Sequence, residues 1–396
     1  MTTWLRPLPM AALLAPIVGV IAPKGLAPLI FVLGAWGWVV GWRSIVERGR
    51  GWPPSTALPV VLAILVIDIW ALITIAWTPA PADALASWVN ITGVALALPP
   101  LLLAPADETA RRALVAGFVL ALLTMLAMLA ADYAVLRWVY DLQDKMFDPT
   151  TTNRRLVVVL LMVWPAAWIL VRRGNRTLAA GLLVAALLTV LAGVSRSAQL
   201  AVGVALLAGV AGLAWPRGAA AALAALVVAG VLSAPLAAPA WLAPDRYATQ
   251  LEDRYYSALH RFYIWEFASR RIADRPLTGW GHDASPLVPG GDEKLPHGGD
   301  RMNMHPHNGS LQVWLELGGI GALAWTTLLA ALAWSIRRLP GRVAPALALG
   351  QFAAALVIIH LSFGLWQTAW LAALGFAAVL TVAVARSEVR QLDQSG

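Results

Sequence analysis

Residues 305–335 read HPHNGSLQVWLELGGIGALAWTTLLAALAWS, a polar opening followed by a long apolar run. A helix needs about 20 predominantly apolar residues to cross the hydrocarbon core of a bilayer. The stretch from 309 to 335 meets this requirement and predicts a membrane-spanning helix. Two histidines and an asparagine stand at its threshold, and Glu316 lies inside it. The stretch therefore predicts a membrane fold that holds titratable groups at the membrane boundary.

The apolar character extends over the whole chain. Of its 396 residues, 60% are hydrophobic and 13% are charged, and the mean hydropathy is +0.71. This composition excludes a soluble globule with an ordinary polar surface. Apolar runs near 20 residues recur, which favours a polytopic helical bundle over a β-barrel of alternating strands. Because the chain has no cysteine, disulfides, thiol nucleophiles and iron–sulfur clusters are excluded.

We predict an all-α polytopic membrane protein of about twelve transmembrane helices with one large outer loop that contains helix. The predicted spans are 8–23, 25–42, 57–77, 88–104, 113–135, 156–171, 178–194, 197–214, 219–239, 309–335, 344–363 and 366–385. The first two, around Lys24, could instead form a re-entrant hairpin. The spans divide the chain into helices one to nine (1–239), a loop domain (240–308), and the last three helices with a short tail (309–396).

The distribution of arginine predicts the orientation. With both termini in the cytoplasm, fourteen arginines fall on the inner side, among them Arg111, Arg112 and Arg173, as the positive-inside rule requires. The net charge of +8 is therefore mostly a topology signal, so nucleic acid is not a predicted partner. Loop 240–308 then lies outside. We expect an amphipathic helix in it from near Asp253 to just before Pro276, since proline cannot continue a helix.

His305 and His307 are the first candidate site residues. Asn308 is a plausible N-cap of the tenth span, which places His307 beside the positive end of a helix dipole. Positive potential disfavours imidazolium, so a neutral His307 could accept a proton near pH 7. A metal site at His305 and His307 with nearby acids is the competing interpretation, although the spacing matches no strong zinc pattern.

Glu316 follows Asn308 and Gln312 on one face of the predicted helix. A carboxylate inside a membrane-spanning helix is costly unless it is paired or faces water. It is therefore a candidate for a direct role, with a structural hydrogen bond to a neighbouring helix as the alternative. Glycines 318, 319 and 321 predict close packing between helices.

Arginines on the outer side form the second signal. Arg196 lies in a short outer turn, where it could also be an ordinary interfacial arginine. Arg261 lies on the amphipathic helix, with Arg254 and Trp265 on roughly the same face. Convergent arginines suit a phosphate or diphosphate, because their planar guanidinium groups bind its oxygens in pairs.

Three segments resemble the O-antigen ligase and O-antigen polymerase superfamily, and most of all its ligases. They are SRSAQ (195–199), RFYIWEFASRRIADRPLTGWG (261–281) and HPHNGSLQVWLELGGIG (305–321). The resemblance covers roughly residues 150–340. It maps the family's essential arginines onto Arg196 and Arg261 and its essential histidine onto the HPHN segment, where adjacency to Asn308 favours His307. We expect His305, Asn308, Arg254, Trp265 and Glu316 to help bind substrate.

The resemblance also implies an activity. A multi-pass protein of the bacterial inner membrane would move an O-antigen glycan from undecaprenyl diphosphate to the lipid A core oligosaccharide, in the periplasm and with inversion. Neither cofactor nor metal is expected, because diphosphate is a good leaving group and the arginines supply positive charge. An O-antigen polymerase or a protein O-oligosaccharyltransferase would use the same donor. A secondary transporter is the alternative of another class, but it would place its polar groups near the bilayer midplane.

Overall fold

The computed structural model describes residues 6–50, 54–104, 107–131, 152–247, 256–295, 299–302 and 304–395. These ranges contain thirteen α-helices and no β-strand. The helices are α1 (Pro7–Ile21), α2 (Leu26–Arg50), α3 (Pro54–Thr74), α4 (Pro81–Leu103), α5 (Glu108–Ala131), α6 (Asn153–Arg172), α7 (Arg176–Ala192), α8 (Arg196–Ala214), α9 (Pro216–Trp241), α10 (Tyr256–Asp274), α11 (Gly309–Ser335), α12 (Val343–Leu361) and α13 (Thr368–Ser395).

Each of the twelve predicted spans corresponds to one of these helices, with α10 as the additional one. Within the described ranges, ten helices are long and apolar enough to cross a membrane, while α1 and α7 are apolar but shorter. The predicted all-α polytopic membrane fold is confirmed. At 15 residues, α1 is about 22 Å long, less than the hydrocarbon layer. The re-entrant alternative for the first pair therefore still stands.

Helix α6 is the centre of the bundle. Of its apolar window, 83% is buried inside the protein, a larger share than in any other candidate span of the described ranges. Its Trp164 ring lies against Gly350 of α12, where no larger residue would fit. Most other spans bury one face, so that their remaining apolar side chains are free to contact lipid.

Ion pairs and hydrogen bonds bring the predicted inner arginines together at one end of the bundle. Arg173 pairs with Glu108, Arg6 pairs with Asp107 at 3.4 Å, and Arg172 donates to the carbonyl of Val384 at 3.2 Å. We call this end the arginine side. Because consecutive spans alternate in direction, the described residues between Trp241 and Gly309 lie at the opposite end, which we call the histidine side.

On the histidine side, α10 packs its apolar face against α9 and the first half of α11. The cluster consists of Ala238, Ile264, Trp265, Phe267, Ala268, Ile272, Val288, Met302, Leu311 and Leu315. The predicted end of the helix before Pro276 is confirmed, since α10 ends at Asp274. Its predicted start near Asp253 lies outside the described residues, and the proposed domain boundaries at 240 and 308 stay a prediction.

Helix α11 is broken at Gly318, whose φ of 64° and ψ of −162° are not helical. The loop 276–281 runs along the break, and its main chain bonds to the helix. The N–H of Trp280 donates to the carbonyl of Leu315 at 2.8 Å, and that of Gly281 donates to Glu316 at 2.9 Å. The indole of Trp70 donates to Leu317 at 2.8 Å. The carbonyls freed by the break are thus satisfied, as a membrane interior requires.

The role predicted for Gly318 was therefore wrong in one respect. It does allow a close approach, but its neighbour is a loop instead of a helix. A Cβ at this position would overlap the main chain of Leu277 and lie 2.6 Å from the nitrogen of Thr278. Only glycine combines this backbone conformation with this contact.

Candidate functional site

The first turn of α11 is fixed by two side chains. The predicted N-cap is confirmed, because the Asn308 Oδ1 atom accepts from the backbone N–H groups of Ser310 and Leu311, both at 3.1 Å. The Ser310 hydroxyl lies 2.7 Å from Nε2 of His360 on α12. Because His360 Nδ1 faces the carbonyl of Leu356 at 2.7 Å, the proton of that ring is on Nδ1 and the serine is the donor. The start of α11 is thereby pinned to the end of α12.

His307 lies directly before this cap and is half-buried. Its φ is +52°, a left-handed conformation that is uncommon for residues other than glycine. Its Nδ1 lies 2.6 Å from the main-chain oxygen of Ser362. A carbonyl oxygen can only accept, so Nδ1 carries the hydrogen. The Nε2 atom of the neutral ring therefore keeps its lone pair.

His305 is held in the opposite tautomer. Its Nδ1 accepts the backbone N–H of His307 at 3.1 Å, so the hydrogen of the neutral ring is on Nε2. The side chain is buried, and its ring packs on Gly364, where an added Cβ would lie 2.7 Å from His305 Cδ2. With one nitrogen accepting and the other protonated, His305 is suited to hold the chain of His307 and to donate a hydrogen bond.

Both imidazoles are neutral at pH 7. Burial lowers the pKa of His307, and the positive charge of Arg261 lowers it further, while the bond to Ser362 acts in the other direction. Burial, then His307 and Arg261, lower the pKa of His305 to about 3. Burial also lowers the pKa of Arg261, although a guanidinium keeps its charge in proteins. The segment therefore combines neutral histidines with a nearby cation.

Helix α10 is joined to this segment by Trp265. The indole donates to the carbonyl of Pro306 at 2.8 Å, and the Phe262 ring packs on the indole at 5.7 Å between centroids. Arg261 lies one turn before Trp265 on the same helix, which explains its electrostatic effect on both histidines. Arg254 lies outside the described residues.

Arg196 lies in the first turn of α8, on the histidine side. Its Nη1 donates to Gln199 Oε1 at 3.1 Å, and the residue is exposed. Helix α8 packs antiparallel to α12, and a Cβ at Gly212 would lie 2.8 Å from Ala346 Cα. Arg196 precedes Gly212 by sixteen residues and Ser362 follows Ala346 by sixteen, so both lie at about the same height. The structure thus places Arg196 at about the height of Ser362, the partner of His307.

Glu316 is fully buried and accepts four hydrogen bonds. The donors are the backbone of Asp283 at 2.9 Å, the Ser285 hydroxyl, Gln312 Nε2 at 3.1 Å and the Trp366 indole. The Gln312 oxygen in turn accepts from the backbone of Leu365 at 2.9 Å. These contacts favour the structural alternative for Glu316. The carboxylate joins α11, the loop after α10 and the connection between α12 and α13.

We expect Glu316→Gln to destabilise the protein by about 2–4 kcal/mol, because an amide nitrogen would face donors that now meet an oxygen. The measurement is the thermal unfolding midpoint of the purified protein in detergent. Glu266→Gln removes only an exposed ion pair with Arg270 and should change stability by at most about 1 kcal/mol. Equal midpoints for the two variants would contradict the role of Glu316 as a structural centre.

Three site features were absent from the sequence prediction. They are the Ser362 carbonyl, Gly364 and the Trp366 indole, all in the connection between α12 and α13. A main-chain oxygen has no signature in a sequence, and this connection lies more than fifty residues from His307. Among the described residues, no group of three or more His, Cys, Asp or Glu side chains is placed to hold a metal ion.

Fold and site together define a multi-pass helical membrane protein whose polar, histidine-containing cluster lies at one end of its bundle. Within this class the chain resembles the O-antigen ligases, and the predicted resemblance is confirmed. A family model described as O-antigen ligase matches residues 181–326, which include α8, α10, the HPHN segment and the first half of α11.

Proteins from Rickettsia that are named as candidate polysaccharide ligases are similar over a shorter stretch. One from Rickettsia conorii is 32% identical over 119 residues, and one from Rickettsia prowazekii is 31% identical over 119 residues. In both cases the match spans 29% of this chain and 29% of the relative. A relative from Rickettsia bellii is 27% identical over 172 residues, 41% of this chain and 42% of its own.

Proposed function

We propose that the protein is an inverting glycosyltransferase that moves an O-antigen glycan from undecaprenyl diphosphate to the lipid A core oligosaccharide. The observation that carries this proposal is His307, whose Nε2 lone pair is left available by the bond from Nδ1 to Ser362, close to the charge of Arg261. Both residues fall inside the region matched to the O-antigen ligases. In this proposal the histidine side faces the periplasm, the protein lies in the bacterial inner membrane, and both termini are cytoplasmic.

The reaction is a single displacement. His307 Nε2 takes the proton of an acceptor hydroxyl, whose oxygen attacks the anomeric carbon of the donor sugar. As the new carbon–oxygen bond forms, the bond from that carbon to the diphosphate breaks, and its electron pair leaves with the diphosphate. Attack from the face opposite the leaving group inverts the anomeric centre. The imidazolium formed at His307 then releases its proton to water.

The arginines stabilise the negative charge that develops on the leaving diphosphate. Arg261 and Arg196 would bind the diphosphate oxygens and stabilise the transition state more than the ground state. His305, Asn308 and Trp265 position the segment that carries the base, through the contacts described above. Arg254 is proposed to extend the cation cluster. Glu316 contributes indirectly, by fixing the connection between α12 and α13 that contains Ser362.

The proposal is tested by incubating the purified protein with a polyprenyl-diphosphate glycan and lipid A core oligosaccharide, without nucleotide. The products are weighed by mass spectrometry. Glycan on the lipid A core is the expected result. A longer glycan still on its carrier would replace the ligase with a polymerase, glycan on an added protein would indicate a protein O-oligosaccharyltransferase, and no transfer to any acceptor would overturn the proposal.

Two substitutions of Arg261 distinguish the effect of its positive charge on the rate of transfer from the effect of its bidentate geometry. We expect Arg261→Ala to lower the rate of transfer by at least about 100-fold. We expect Arg261→Lys to recover little of this loss, because an ammonium group cannot bind two oxygens in one plane. The measurement is the initial rate at saturating donor. Arg270, on an exposed face of the same helix, offers the matched control Arg270→Ala, which should transfer normally. Full activity of Arg261→Lys would contradict bidentate binding.

A further inference from the structure

The arginine side of the bundle carries a groove that the proposed reaction does not use. It has a volume of about 460 Å³ and lies along the first half of α5 beside Arg173, which follows α6. Two arginines stand at its mouth, and the wall below them is wholly apolar. The lining consists of Arg112, Arg173, Val115, Val119, Leu120 and Leu123, together with Ala116.

The mouth of the groove has more positive than negative charge. Glu108 accepts from Arg112 and Arg111, each at 3.0 Å, and from Arg173. A single carboxylate thus meets three guanidinium groups, while the adjacent Asp107 is paired with Arg6 at 3.4 Å. Arg112 uses only Nε in its bond to Glu108, and its side chain is 69% exposed. Most of its five N–H donors therefore face outward and can bind a further anion.

The apolar wall of the groove indicates that the ligand also has an apolar part. Val119, Leu120 and Leu123 are 38%, 51% and 58% exposed, on a helix long and apolar enough to span the membrane. From Val115 to Leu123 the wall descends about 12 Å along the helix axis. A soluble anion would make no contact with this apolar wall, and a neutral lipid would leave the two arginines without an anionic partner. A ligand with an anionic head and long apolar chains satisfies both.

We propose that this groove binds an anionic phospholipid of the leaflet on the arginine side, with its phosphate at Arg112 and Arg173 and an acyl chain against Val115–Leu123. Charge complementarity supports this occupant, because the cytoplasmic leaflet that the positive-inside pattern predicts for this side carries anionic lipids. The lipid would brace α5 against the end of α6. The proposal is independent of glycosyl transfer, since the groove lies at the end of the bundle opposite His307.

The test uses native mass spectrometry of the full-length protein, with phosphatidylglycerol and phosphatidylcholine of identical acyl chains as probes. We expect the wild type to retain phosphatidylglycerol about tenfold more strongly than phosphatidylcholine. The variant Arg112→Ala/Arg173→Ala should lose this preference. Arg217→Ala/Arg342→Ala, which removes as much charge from the same side but away from the groove, should keep it.

Equal retention of the two lipids by the wild type would overturn the proposal, and so would an undiminished preference in Arg112→Ala/Arg173→Ala. If that variant fails to fold, Arg112→Gln serves in its place, because it leaves the pair between Arg173 and Glu108 intact. Its preference should fall by at least about threefold, and an unchanged preference would again overturn the proposal. None of these readouts depends on transferase activity.

Discussion

Replacing His307 by alanine should lower the rate of glycan transfer by about 100-fold or more, the usual loss when a general base is removed. Within the HPHN segment, only the neutral ring of His307 has a nitrogen that is available to accept a proton. In His305 that role is already taken, because its Nδ1 accepts the backbone N–H of His307. The measurement is single-turnover transfer with saturating donor and acceptor. His307→Asn is the informative companion, because asparagine tolerates the left-handed backbone and can still donate to Ser362. It should fold like the wild type and transfer as poorly as the alanine variant.

The pH profile gives a second reading of the same base. A base must be unprotonated, and burial lowers the pKa of His307 below its ordinary value of 6.5. The rate of transfer should therefore be flat around pH 7 and fall only as the pH drops through the depressed pKa. Near-normal transfer by His307→Asn, or a profile whose acid limb lies above pH 6.5, would remove His307 from this role.

Much of this architecture could be predicted from local sequence. Hydropathy alone located the twelve apolar helices of the described ranges, because ten of them present apolar side chains over about 20 residues whatever their neighbours are, and the shorter α1 and α7 are also apolar. The Asn308 cap and the end of α10 before Pro276 are equally local, since each depends on a few adjacent residues. The candidate site was located by the same means, as titratable residues standing where an apolar run begins.

The parts that escaped prediction depend on contacts between distant segments. The tautomer of His307 is set by a main-chain oxygen of Ser362, and any residue at 362 would supply that atom. The position of Glu316 inside a span predicted that its carboxylate must be paired. Its partners could not be predicted, because the four donors come from three separate segments. Gly318 looked like other small residues of membrane helices until its positive φ and the loop beside it were known.

That break in α11 leads to the largest expected effect on stability. We expect Gly318→Ala to destabilise the protein by more than about 3 kcal/mol. The backbone at φ 64° and ψ −162° is open almost only to glycine, and the new methyl group would overlap the main chain of Leu277. Relief would require the loop 276–281 to leave α11, which would expose the carbonyls of Leu315 and Glu316 in a membrane interior. The variant should therefore accumulate poorly in the membrane and unfold early on heating.

Gly319→Ala is the matched control, one residue further along the same helix. Its added Cβ would lie 3.3 Å from the oxygen of Pro276 and 3.4 Å from the Trp314 ring, and the position has no positive φ. We expect a change within about 1 kcal/mol, since alanine favours the helix as much as the tight contact opposes it. The measurement is the temperature of half-unfolding of both variants in one detergent at one scan rate, because membrane proteins often unfold irreversibly. If Gly318→Ala were as stable as Gly319→Ala, the break would not hold the loop. Glu316 would then owe its position to Gln312 and to the Trp366 indole in the connection between α12 and α13, because its other two donors, the backbone of Asp283 and the Ser285 hydroxyl, belong to the segment after α10.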